Sequence, residues 1–233
     1  MLSVKNIFAD TMHLFYPHIC AGCGSDLISK DNLLCITCIS DLPHTHFELH
    51  ENNPIEKIFT GRMPVRAAHS EFYFSKGQLV QHLIHLLKYK GNKAIGHYMG
   101  ELLGNSILQG GRFSNIDFLV PLPLYADKEL RRGYNQAEII CKGIHAATKI
   151  PIMVNNVVRK RPTETQTRKH RAERWQNVAG SFRIEHAHKL IGKNILLVDD
   201  VITTGATLEA CGQFILQIPG TSVSFAALAH ASK

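Results

Sequence analysis

The chain has 233 residues, 45% of them apolar and 19% charged, with a formal net charge of +7. That apolar share is ample for a core, and the length fits one large domain or a main domain with a small appendage. No apolar run approaches the roughly 20 residues of a membrane span, which argues against membrane insertion, and the basic balance points to anionic partners in general.

Residues 1–17, MLSVKNIFADTMHLFYP, carry Asp10 and His13 within their apolar part and have no small-residue cleavage site. They do not read as a signal peptide, so a cytoplasmic location is expected. Ile7, Phe8, Met12 and Phe15 are spaced as the packing stripe of a short helix ending before Pro17. Cys20-x-x-Cys23 and Cys35-x-x-Cys38 follow. Two such pairs bring four thiolates to the spacing of a tetrahedral zinc site, and Gly22 and Gly24 suit its tight turn. The rival readings are two disulfides, which fit poorly in a reducing compartment, and redox pairs, which need a βαβ context absent here. A structural zinc ion on Cys20, Cys23, Cys35 and Cys38 is therefore expected. Cys141 and Cys211 fall on apolar helical faces and read as core. From Leu42 to Met63 a polar stretch broken by Pro43, Pro54 and Gly61 reads as a linker. Residues 1–63 are expected to form an N-terminal segment and residues 64–233 the main domain.

The main domain begins with a strand-like stretch over 67–74. Two helical segments follow, near 78–88 and 93–108, with Leu79, Leu83, Leu86 and Leu87 as a core stripe and His82 and His85 on the solvent side. DFLVPLPL, over 117–124, is a buried strand that Pro121 and Pro123 must end. It leads into a polar loop, 127–136, carrying Lys128, Arg131, Arg132 and Gly133, and then a helix to about residue 148. Cations and backbone donors at a strand's carboxyl end suit a pyrophosphate. A short strand at 156–158 precedes the most basic stretch, 159–171, and the sole tryptophan, Trp175. A polar loop of that length is a lid, a binding loop or disorder. Arg168, Arg171, Arg174 and Trp175 at helical spacing are also similar to a nucleic-acid stripe, while Trp175 reads equally as a packing anchor.

Ile195, Leu196, Leu197 and Val198 are a continuous branched run, the mark of a strand buried on both faces of a parallel sheet. It runs into Asp199 and Asp200, then a hydroxyl-rich turn over Thr203–Thr207 that opens a helix. Ligands of open α/β sheets bind outside the carboxyl ends of strands. A helix N-terminus attracts phosphate, and Gly205 lets the backbone approach it. Two acids beside an anion cradle suit a phosphorylated sugar. The alternation of strands and helices after residue 115 predicts a doubly wound parallel sheet flanked by helices.

LLVDDVITTGAT resembles the signature with which type I phosphoribosyltransferases hold phosphoribosyl pyrophosphate (PRPP). The resemblance implies that fold, with Asp199 and Asp200 on the ribose hydroxyls. Val201, Ile202, Thr203, Thr204, Gly205, Ala206 and Thr207 would surround the 5′-phosphate. A wider order of motifs runs LFYP before the double CxxC, then Lys88-Tyr89-Lys90-Gly91, VPLPL…RRGYNQ, QT…ERWQNV and the acid loop. It resembles the ComF family, which pairs a zinc knuckle with a phosphoribosyltransferase domain and is linked to DNA uptake in natural competence. Functional positions implied in this way are Lys88, Arg132, Asn135, Gln136, Arg159, Gln166, Arg174 and Asn177. Lys128 stands where an arginine is usual and Lys169 where a leucine often stands. The implied reaction is phosphoribosyl transfer with release of pyrophosphate, Mg²⁺ accompanying PRPP. Asp199, Asp200, Arg132, Arg159 and Arg174 form the implied catalytic set, Lys88, Lys128 and Arg131 aid binding, and 159–174 closes as a hood. Implied partners are PRPP, an acceptor the sequence does not identify, and single-stranded DNA with the competence helicase machinery. The alternative is a non-catalytic PRPP-sensing or DNA-handling accessory, since a cradle alone does not decide between them.

Overall fold

The computed structural model describes residues 18–159 and 182–231. The expected helix over 7–15 lies outside them, as do Gln166, Arg174, Trp175, Asn177 and all of the expected hood beyond Arg159. The chain divides into two compact units, Met1–Leu42 and Pro43–Lys233. In the first, a series of turns from residue 20 leads to one short helix, α1 (Ile36–Ser40).

The second unit runs through α2 (Pro54–Phe59), β1 (Ala68–Tyr73), α3 (Leu79–Tyr89), α4 (Lys93–Gly110) and β2 (Phe118–Pro121). It continues with α5 (Ala126–Arg132), α6 (Gln136–Thr148), β3 (Val157–Arg159) and β4 (Phe182–Ile184). β5 (Asn194–Ile202), α7 (Ala206–Ile215) and β6 (Ser222–His230) complete it. Four strands form a parallel sheet in the order β1-β6-β5-β2, and β3 and β4 pair antiparallel in a sheet of their own. The apolar run of β5 explains its central place: Ile195, Leu196, Leu197 and Val198 are all fully buried, as a strand covered on both faces must be.

On one face Phe59 of α2 meets Phe225 of β6, ring centroids 4.5 Å apart, in a core shared with Leu197 and with Leu208, Cys211 and Ile215 of α7. α4 and α6 cover the opposite face and cross almost backbone to backbone. A Cβ on Gly143 would run into the carbonyl oxygen of His97, and one on Gly100 into that of Ile140. Glycine at these positions is therefore a demand of close approach.

The stretch read as a linker is folded into this unit, which moves the boundary from residue 63 to 42/43. Asn53 caps α2, its Oδ1 accepting from the N–H groups of Ile55 and Glu56, and Pro54 takes the first helical position. The Asn53 amide donates in turn to the carbonyls of His50 and Ala68. Residues 43–45 lie along the free edge of β1: Tyr73 N–H bonds the Pro43 carbonyl and Thr45 N–H that of Glu71. An exposed parallel edge would otherwise invite pairing with another chain. Among the described residues no helix is long and apolar enough to cross a membrane.

Candidate functional site

β5 does not stop at its apolar run. It continues through Ile202, so both acids lie within its last turns of pleat. Neighbouring strand residues point to opposite faces, and the two carboxylates differ accordingly. Asp200 is buried, 5% exposed, and its Oδ1 pairs with Lys88 Nζ, from the last turn of α3, at 2.7 Å. Its Oδ2 is buried with no hydrogen-bond partner among the described residues. Asp199 accepts from the Asp200 N–H at 2.8 Å and lines a hollow of about 50 Å³ with residues 201–208. Burial, then the Asp200 charge beside it, pushes the Asp199 carboxyl up to about 7 against the pull of that N–H, Lys88 and Arg159.

The turn Thr203–Gly205 opens α7, whose N-cap is Gly205 at φ +71. Gly205 lines the loop hollow, and its missing side chain also serves the protein's own packing. A Cβ there would sit 2.8 Å from the Phe59 ring and 2.9 Å from Ile58. Gly205 lets α2 pack against the loop from behind and supplies the left-handed turn.

A second cavity, about 490 Å³, is lined by Lys88, Tyr89, Gly91, Lys128, Arg131, Arg132 and Tyr134. Residues 126–132 are helical rather than a loop, for reasons the sequence carries. Asp127 and Glu129 lie in the first turn of α5 and Arg131 and Arg132 in the last, matching its dipole, and Gly133 ends it in a left-handed turn. Such a helix end presents carbonyls, so its anion affinity must come from the side chains. Arg132 bonds Gln136 Oε1 at 2.5 Å and lies 5.5 Å from the Tyr89 ring. Asn135 caps α6 and donates to the Leu122 carbonyl, which fixes the α5–α6 junction to the end of β2. Arg159 ends β3 with its guanidinium 3.8 Å from the Tyr125 ring centre and close enough to Asp199 to stabilise its charge. The fold thus gathers Lys88, Lys128, Arg131 and Arg132 around one cavity and Asp199 with residues 201–207 around another, and Lys88 joins the two through Asp200. Arg174 lies outside the described residues.

In the smaller unit Cys20, Cys23, Cys35 and Cys38 present their sulfurs within 4.8 Å of one another. Cys23 and Cys35 Sγ are 3.7 Å apart, and a tetrahedron with Zn–S of about 2.3 Å requires roughly 3.8 Å. The N–H groups of Gly22 and Cys35 point at Cys20 Sγ, at 3.4 and 3.2 Å. Burial opposes its ionisation, but these bonds and one from the Cys23 backbone hold the thiol down to about 6. Burial and the three neighbouring sulfurs push Cys38 strongly up. Four convergent sulfurs, three of them buried and Cys23 at the surface, match the ligand set of a closed, structural zinc site with no open coordination position.

Sequence reasoning passed over one set of residues around the loop. Arg62, just beyond α2, pairs with Glu209 in the first turn of α7, and Gln213 donates to the Arg62 carbonyl at 3.2 Å. The available signal was Asn53-Pro54, a helix-start pair inside the supposed linker.

The phosphoribosyl transferase domain family matches residues 130–233. The DNA utilization protein YhgH of Escherichia coli (strain K12) is 29% identical over 202 residues, 85% of this chain and 84% of that protein. Competence protein F of Haemophilus influenzae is 26% identical over 224 residues, 94% and 93% of the two chains. Competence protein ComFC of Bacillus subtilis is 33% identical over 100 residues, 42% and 38%.

Proposed function

Since this chain belongs to the ComF family and carries its phosphoribosyl transferase domain, we propose that it binds PRPP with Mg²⁺ and transfers the phosphoribosyl group to an acceptor, releasing pyrophosphate. The observation that carries this is Asp200: a carboxylate at the end of the central strand, buried, held by Lys88 on one oxygen and unsatisfied on the other. A buried acceptor without a donor is costly and is kept where a ligand supplies the donor. A ribose hydroxyl is such a donor, and the helix-opening turn beside it suits the phosphate of the same sugar.

The carboxylate pair, with Asp199 raised by burial and by the neighbouring Asp200 charge, fits a ligand that brings hydroxyl donors and a cation. Mg²⁺ bound with PRPP would neutralise pyrophosphate oxygens and leave the acids to the sugar. As the bond from C1 to the pyrophosphate oxygen breaks, its electron pair leaves with pyrophosphate. Lys88, Lys128, Arg131 and Arg132 would stabilise the departing charge. Asp199 and Asp200 would offset the positive charge growing on the ring, and Arg159 and the hood beyond it would exclude water. We place the activity in the cytoplasm and in DNA uptake by the family link, with single-stranded DNA and the competence helicase machinery as partners.

Incubation with PRPP, Mg²⁺ and a metabolite extract as acceptor pool tests the transfer step. Pyrophosphate release above the rate without extract is the expected outcome. Binding of PRPP with no release would move the reading to a PRPP sensor.

A further inference from the structure

We infer that Arg62 is a positioning residue for the phosphate loop: its ion pair with Glu209 and its bond to the Thr204 carbonyl let the first turn of α7 accept an anion. The inference rests on the reading of Thr203–Thr207 as a phosphate site.

The problem it answers is electrostatic. The positive end of a helix dipole favours a phosphate at the first turn of α7. Yet that turn carries a carboxylate, Glu209, which is 2% exposed and one residue beyond the lining of the loop hollow. An uncompensated buried carboxylate there would repel the ligand across a poorly screening interior. Arg62 offsets that repulsion by charge: its Nη2 lies in ion-pair contact with Glu209 Oε2, an oxygen that makes no hydrogen bond among the described residues. The same guanidinium donates from Nη1 to the Ile58 carbonyl at 3.0 Å and to the Thr204 carbonyl at 3.4 Å. Occupying the Thr204 carbonyl matters because a phosphate site needs donors facing the ligand and acceptors turned away from it.

The contact is part of a broader buttress. Gln213 bridges the Arg62 carbonyl at 3.2 Å and Glu209 Oε1 at 3.4 Å. Phe59 and Ile58 fill the space a side chain on Gly205 would take, and Met63 reaches the place of a Cβ on Gly212. Residues 58–63 therefore brace both the loop and the helix it opens. None of them lines the hollow itself, which separates this role from direct ligand contact.

Titration calorimetry with two probes, ribose 5-phosphate for the loop and inorganic pyrophosphate for the cation-lined cavity, tests the role. Arg62→Ala leaves the buried Glu209 carboxylate without its counter-charge and is expected to weaken ribose 5-phosphate binding about tenfold or more, and to leave pyrophosphate binding within about twofold. Arg62→Lys keeps the charge opposite Glu209 and should retain most of the affinity. Arg62→Ala/Glu209→Gln removes both charges and should recover much of the loss, which a purely structural role would not produce. Unchanged ribose 5-phosphate binding in Arg62→Ala, equal loss of both probes, or no recovery in the double variant would overturn the inference. Failure of the wild-type protein to bind ribose 5-phosphate at all would instead remove the phosphate-site reading beneath it, and the inference with it.

Discussion

Asp199 shows how far a residue's chemistry departs from its sequence context. Its carboxyl is raised to about 7 by burial and by Asp200, so the folded chain holds a proton there that the unfolded chain has released. The stability this contributes is fully present below the ordinary carboxylate value near 4 and is lost as pH rises through about 7. In ligand-free protein the thermal midpoint should therefore fall between about pH 4 and pH 7 more steeply in wild type than in Asp199→Asn. Burial opposes ionisation of Glu71, but bonds from His44, His69 and Ser106 hold its carboxyl down to about 2, so its contribution is lost only in strong acid. His44 is raised chiefly by its bond to Glu71 and its contribution also fades as pH rises, so only the difference between the two proteins isolates Asp199. Parallel pH profiles would show that Asp199 ionises normally. Asp199 and Asp200 were legible in the sequence because charge at the end of a buried run is conspicuous. Arg62 was not, because its partner carbonyl at Thr204 is 142 residues away.

At the scale of elements, period and punctuation carried most of the reading. α3, α4 and α6 stand close to where their apolar stripes placed them, and β2 ends at Pro121 as its prolines required. α5 has the charge density of a polar loop, although acids first and arginines last are a helix's own preference. α2 was hidden by Pro54, which breaks a helix in its interior but starts one at the first position. The double CxxC was legible as a ligand set from spacing alone. If its four thiolates hold structural zinc, metal analysis of protein purified without added zinc should return one zinc per chain. Cys23→Ser should lose it and become more sensitive to proteolysis across residues 18–42. A metal-free wild-type chain that resists proteolysis equally would contradict a structural role.

At the scale of the whole molecule, the topology makes the site. Placing β5 between β6 and β2 puts its end beside that of β2, so Asp199 at one cavity and the α5 cations at another, some 70 residues apart in sequence, follow the carboxyl ends of adjacent parallel strands. The alternation of strand and helix announced the parallel sheet. It did not reveal that β1 returns from the N-terminal side to pair with β6, since edge order depends on which faces α2, α4 and α6 cover rather than on any local pattern.

The central claim, that the end of β5 and the turn after it hold PRPP, is tested most directly by calorimetric titration of wild type and Asp200→Asn with PRPP and Mg²⁺. The substitution keeps the shape of Asp200, removes the charge that Lys88 answers at 2.7 Å, and should cost about 1.5–3 kcal/mol of binding, roughly 10- to 150-fold in affinity. Wild-type affinity in Asp200→Asn, in protein that remains folded, would contradict the account.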